Sequence, residues 1–177
     1  PPQKKSPPIL SPLLHRPLEW LRRFRHRRGY GIHSPFAFNL VTQLIFNDGE
    51  YYAYAPLQRR FPLFPTRRKI ARLLFRLANE EQPDETIIPK TLTEPERAYL
   101  QAGCMKTTIK ETTTTNIIEF RKDNRTTLTI LLNLQQNLTS FEAYKANTDT
   151  TVTFDLYDIA LIYHNLPLTQ QHYIINF

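Results

Sequence analysis

With 177 residues, 41% of them hydrophobic and 22% charged, the chain has the length and composition of one ordinary folded domain with room for an appended arm. No apolar run approaches the roughly 20 residues that span a bilayer, and the N-terminal stretch lacks the charged, apolar, then small-residue order of a signal peptide. A single cysteine, Cys104, excludes an internal disulfide framework and a cysteine-cluster metal site, so a soluble cytoplasmic protein is expected. Charge is divided unevenly: residues 1–78 hold 15 Lys/Arg against three acids, and residues 79–177 hold 8 against 13. The split of +12 and −5 reads as a basic arm on a mildly acidic body, suited to phosphate, anionic lipid or an acidic partner.

Six of the fourteen prolines fall in residues 1–17, which predicts an extended basic leader. Pro17 can open a short helix, PLEWLRRFRHRR, with Leu18, Trp20, Leu21 and Phe24 as its apolar residues and Gly29 as its terminator. Ser34-Pro35 is a helix start, a capping hydroxyl followed by a residue with no N–H to leave unpaired. Phe36, Leu40, Val41, Leu44 and Ile45 then recur at helical spacing until NDGE stops them. YYAYAP reads as an aromatic connector and FPLFP as a break. Thr66 is the expected cap of a third helix, RRKIARLLFRLAN, with Ile70, Leu73, Leu74 and Leu77 inward and five basic residues outward.

After Pro83 the texture changes. ETIIP (85–89) is the first expected strand. Thr93 and Glu96 make a capping-box pattern around Pro95 that opens the helix EPERAYLQ, and Gly103 closes it. MKTTIKE, NIIEF and TLTILLNL read as strands rich in β-branched residues. SFEAYKAN suits a short helix, and TVTFDLYDIALIYHN holds one or two strands, with IALIY buried on both faces. LTQQHYIINF fits a helix or a strand. Alternation of strands and helices favours α/β, while the threonine-rich middle leaves an α+β fold with a mostly antiparallel sheet as the alternative. The expected organisation is a Pro-rich basic leader over 1–17, a basic helical region over 18–83 and an α/β core over 84–177.

The stretches GYGIHSPFAFNLVTQLIF, YYAYAPLQRR and KIARLLFRLANEEQP, in that order, resemble the class I S-adenosylmethionine-dependent methyltransferase-like proteins of Bacteroidetes, with a weaker echo in YDIALIYHN. The match covers residues 21–83 and is one of pattern beyond. It implies a Rossmann-like methyltransferase sheet preceded by packed helices, with S-adenosylmethionine as cofactor. In that family a glycine-rich turn after the first strand admits the methionine portion of the cofactor, and an acid ending the second strand holds the ribose hydroxyls. By that resemblance Glu111 takes the ribose position. Here the turn reads PKTLTEPERAYLQAG with no glycine before Gly103, and Tyr163-His164 stands where relatives carry Asp-Gly. The expectation is a divergent, shortened methyltransferase-like protein with little or no methyl transfer, no metal site and no assignable catalytic residue.

Other chemistry finds little support. His164 and His172 are eight residues apart, and His15, His26 and His33 lie among arginines, so each reads as structural or solvated. Cys104 has no local activator and reads as a small packing residue. The remaining functional feature is the cluster Arg22, Arg23, Arg25, Arg27 and Arg28, interleaved with Trp20, Phe24 and Tyr30. It could dock on nucleic acid or an acidic protein as a non-enzymatic binding module, or touch an anionic membrane surface peripherally.

Overall fold

The computed structural model describes residues 21–24, 29–113 and 125–177. The leader, most of the first expected helix and the NIIEF strand lie outside these residues, as do Arg25, Arg27 and Arg28.

The Ser-Pro step works as the sequence predicts. Ser34 keeps extended backbone, its Oγ accepts from Ala37 N–H at 3.4 Å, and Pro35 begins helix α1 (Pro35–Asn39). The chain then widens into a π-helical stretch, Leu40–Ile45, where Phe46 N–H reaches back five residues to Val41 O at 3.0 Å. The aromatic stretch expected to be a connector instead enters α2 (Tyr54–Arg60). Pro56 falls in its first turn, where no intrahelical N–H bond is lost, so the proline does not break it.

Helix α3 (Pro65–Arg76) starts one residue before the expected Thr66 cap and continues as a π-helical stretch, Leu77–Glu81. Ile70, Leu73, Leu74 and Leu77 are buried as their spacing predicts. The fifth cation departs from the expected outward set, because Arg76 is only 5% exposed. Its Nε donates to Leu44 O at 2.7 Å, Nη2 to Ile45 O at 3.1 Å and Nη1 to Tyr54 Oη at 3.3 Å. One guanidinium thus satisfies carbonyls at the end of the first π-helical stretch and ties α2 to α3.

Six strands follow: β1 (Glu85–Pro89), β2 (Thr108–Thr112), β3 (Thr127–Leu132), β4 (Thr150–Asp155), β5 (Ile159–His164) and β6 (Gln171–Ile174). Helix α4 (Glu94–Gly103) joins β1 to β2, and α5 (Leu138–Ala146) joins β3 to β4. The sheet order is β2-β1-β3-β5-β4-β6, with five strands running one way and β5 alone reversed. This is an α/β arrangement on a mixed, mostly parallel sheet, which sets aside the antiparallel α+β alternative. The undecided C-terminal stretch supplies the edge strand β6.

Both faces are covered. Ile88, Leu128, Ile130, Val152, Phe154, Ile159, Leu161 and Tyr163 meet α1, α3 and α4 in one continuous core. Leu131, Ala160 and Ile162 meet Phe141 and Tyr144 of α5 on the other face. The two crossovers leave β1 and β3 in opposite directions on opposite faces, which a common crossover hand requires. Gly103 permits the closest helix contact, since a Cβ there would lie 2.3 Å from Phe75 O of α3.

Replacing Arg76 by Met keeps an unbranched chain but removes every donor to two buried carbonyls. The expected loss is about 2–4 kcal/mol of unfolding free energy with an unchanged denaturant slope. Arg76→Lys should recover less than half. Urea titration decides it, and a loss under about 1 kcal/mol would mean the carbonyls find water instead.

Candidate functional site

In open α/β sheets, ligands settle outside the carboxyl ends of the strands where the order reverses, here between β1 and β3. That edge is built from the turn after β1, the ends of β2 and β3, the β4–β5 hairpin and the start of α3.

Most N–H groups of the turn after β1 are already engaged. Pro89 has no N–H, Lys90 N–H donates to Thr112 O at 3.0 Å and Leu92 N–H donates to Pro89 O at 3.0 Å. Thr93 N–H and Oγ1 both donate to Glu96 Oε2, at 3.0 and 2.8 Å. This is the expected capping box, and Arg67 Nη1 adds a bond to Glu96 Oε1 at 2.7 Å. Glu96 is fully buried yet carries three donors, so its carboxylate is satisfied in place.

Glu111, expected to hold a ribose, lies near the end of β2 and forms an ion pair with Arg97 of α4. Its side chain is 47% exposed, so the pair is worth less than about 1 kcal/mol and would yield to a competing donor. Beyond β3, Asn133 adopts φ +50°, and Thr66, Arg67, Leu132, Asn133 and Asp158 border a cavity of about 270 Å³.

At the end of β4, Asp155 receives both arms of Arg23, at 2.7 and 2.9 Å, with 12% and 13% of the two side chains exposed. Asp155 Oδ1 also accepts from Tyr157 N–H at 2.8 Å, and the Arg23 guanidinium lies 5.2 Å from the Tyr157 ring centre. Arg23 was expected to face a polyanion, but it is bound to an acid of the same chain. Sequence reasoning missed Asp155 because the two residues are 132 positions apart. Arg22 lies beside it and is exposed, while Arg25, Arg27 and Arg28 fall outside the described residues. His33 is exposed just before the Ser34 cap, and Cys104 points its Sγ at Thr107 O, 3.3 Å away.

His164 sits on the opposite face between two hydroxyls, Thr129 Oγ1 at 3.1 Å from Nε2 and Thr150 Oγ1 at 3.3 Å from Nδ1. Burial lowers its pKa to about 3, opposed by a hydrogen bond with the Asp149 backbone, so the ring is neutral near pH 7. His172 Nδ1 meets Thr153 Oγ1 at 2.9 Å, and its pKa is lowered by burial first and Lys145 second. Among the described residues no three His, Cys, Asp or Glu side chains gather in a metal-binding arrangement. No helix there is long and apolar enough to cross a membrane.

No family model, curated protein or solved structure matches the chain.

His164 makes a signed prediction. Its folded pKa lies below the unfolded value of 6.5, so between the two the unfolded chain holds the extra proton. Its contribution is complete above pH 6.5 and is lost as pH falls toward 3. His164→Gln should flatten the acid limb of the stability curve by up to about 1.4 kcal/mol per pH unit in that window. Urea midpoints across that range test it, and parallel limbs in the two proteins would refute it.

Proposed function

We propose that the chain is a methyltransferase-like α/β protein that has little or no methyl-transfer activity and works by binding instead. The observation that carries this reading is the turn after β1. A nucleoside cofactor at a strand switch point needs free backbone N–H groups and close backbone approach. Here Lys90, Leu92 and Thr93 commit their N–H groups within the chain and Pro89 has none to offer, which leaves only Thr91 N–H open among residues 89–93. The family resemblance of residues 21–83 supports the descent, and the order β2-β1-β3, with helices on both faces, is compatible with a doubly wound ancestor.

Calorimetric titration with S-adenosylmethionine is expected to show no saturable heat up to about 1 mM, an affinity weaker than about −4 kcal/mol. Arg97→Ala, which frees Glu111, should not create a site. Saturable micromolar binding to the unaltered chain would overturn the proposal.

A second reading gives the arm the binding role, and exposed apolar surface beside its arginines favours it. Leu21, Phe24 and Tyr30 are 63%, 51% and 82% exposed, which suits stacking or insertion against a partner. Arg23 is engaged by Asp155, and the other arginines of the cluster are Arg22, Arg25, Arg27 and Arg28. Neutralising those four should abolish binding to single-stranded RNA or DNA, and the affinity of the unaltered chain should fall steeply with salt. Salt-independent binding would exclude the phosphate-pairing role.

A further inference from the structure

The end of the first π-helical stretch and the loop after it, Ile45–Gly49, face one side of α3 across a cavity of about 370 Å³. Arg68, Lys69, Arg72 and Arg76 line it from α3, at spacings that bring them to one helix face. Among the described residues Asp48 is the single carboxylate in the lining. The cavity shares no residue with the one at the end of β3.

The three arginines here are poorly compensated. Arg76 makes its bonds to two carbonyls and a phenol, so its buried positive charge has no carboxylate partner among the described residues. The Arg68 side chain has neither a hydrogen bond nor an ion pair among them. Arg72 leans on Glu50 at 3.1 Å, but that carboxylate is 71% exposed, and Arg72 Nε is buried with no partner. Lys69 also lines the cavity, and its Nζ lies 3.9 Å from the Phe177 ring centre. Assembling cations in a partly desolvated cavity is unfavourable until an anion arrives, and that imbalance is what a ligand can relieve.

We propose that this cavity binds the phosphate group of a small phosphorylated molecule. A phosphomonoester carries about −1.5 to −2 charges near neutral pH, which balances several cations better than a carboxylate does. Guanidinium forks match phosphate oxygens in pairs, and three of the four cations are arginines. The volume lies in the range of small-molecule sites, leaving space beside the phosphate for the rest of the ligand. Its described lining shares no residue with the cavity at the carboxyl edge of the sheet, so the proposal does not rest on either reading of function.

The test is calorimetric titration of the full chain at low ionic strength with inorganic phosphate, ribose 5-phosphate and adenosine monophosphate. One-to-one saturable binding is expected, tighter for at least one of the esters than for inorganic phosphate. Combined Arg68→Gln and Lys69→Gln should weaken it about tenfold or more. Asp48→Asn should tighten it, a gain that misfolding cannot imitate, and Arg22→Gln should leave it unchanged. The proposal is overturned if none of the three probes saturates by about 10 mM, weaker than any specific site of this kind. It is also overturned if the double variant melts normally and binds equally well, if Asp48→Asn does not tighten binding, or if inorganic phosphate binds as tightly as both esters. Loss of binding in Arg22→Gln would assign the anion to the arm and sink it as well.

Discussion

The Arg76 guanidinium is the constraint on which the N-terminal half depends. Helices as short as α1 and α2 are marginal alone, because nucleation fixes several residues for each bond gained. They persist here because one side chain from the longer α3 donates to Leu44 O and Ile45 O, in the π-helical stretch that continues α1, and to Tyr54 Oη at the start of α2. A buried guanidinium is tolerable only when its donors are matched, so the three elements must be in place together. Tyr54 reinforces the arrangement by donating to Arg72 O at 3.3 Å, which returns the contact to α3 one turn earlier.

Once α3 is fixed, the sheet has its cover. The residues α3 buries, Ile70, Leu73, Leu74 and Leu77, belong to the same core as β3, β4 and β5. Gly103 lets α4 approach α3 until backbone meets backbone, so the glycine that follows β1 in sequence serves helix packing at the far end of α4. The turn at the near end is left to Pro89 and Lys90, whose rigidity and internal bonds suit a structural corner. The same stretch of chain thus makes the helix pair tight and the strand switch point closed.

Much of this was legible in the sequence, and the limits have physical reasons. Ser34-Pro35, the Thr93–Glu96 box and the strand at 85–89 announce themselves because their signals are local, a cap or a short β-branched run. The uniformly buried 159–164 strand was legible from its unbroken apolar pattern. The helix over 54–60 was missed because its one aromatic residue, Tyr54, is held by tertiary contacts to Phe75 and Tyr99. Arg76 was read as outward because helical spacing places it beside solvent-facing cations, and only the carbonyls of another element explain its burial. The π-helical stretches carry no sequence signal that distinguishes them from ordinary helix. At the candidate site, Glu111 could be placed on its strand, but its pairing with Arg97 and that of Asp155 with Arg23 depend on topology.

The uneven charge of the two halves gains a structural meaning from these pairings. A basic N-terminal region and an acidic body suggest an external anionic partner, yet part of the complementarity is internal. Arg23 reaches Asp155 and Arg67 reaches Glu96, each joining the basic region to the acidic one across the carboxyl edge of the sheet. These pairs are well buried on at least one side, so they act as specific docking contacts where exposed pairs would contribute little. The remaining face of α3 carries Arg68, Lys69 and Arg72 beside the buried Arg76, with Asp48 and the exposed Glu50 as its nearby acids. A fold that neutralises its arginines where the chain closes on itself, and leaves them in excess around a cavity, concentrates positive potential in one place. That local excess, more than the net charge of the whole chain, determines where an anionic ligand would be drawn.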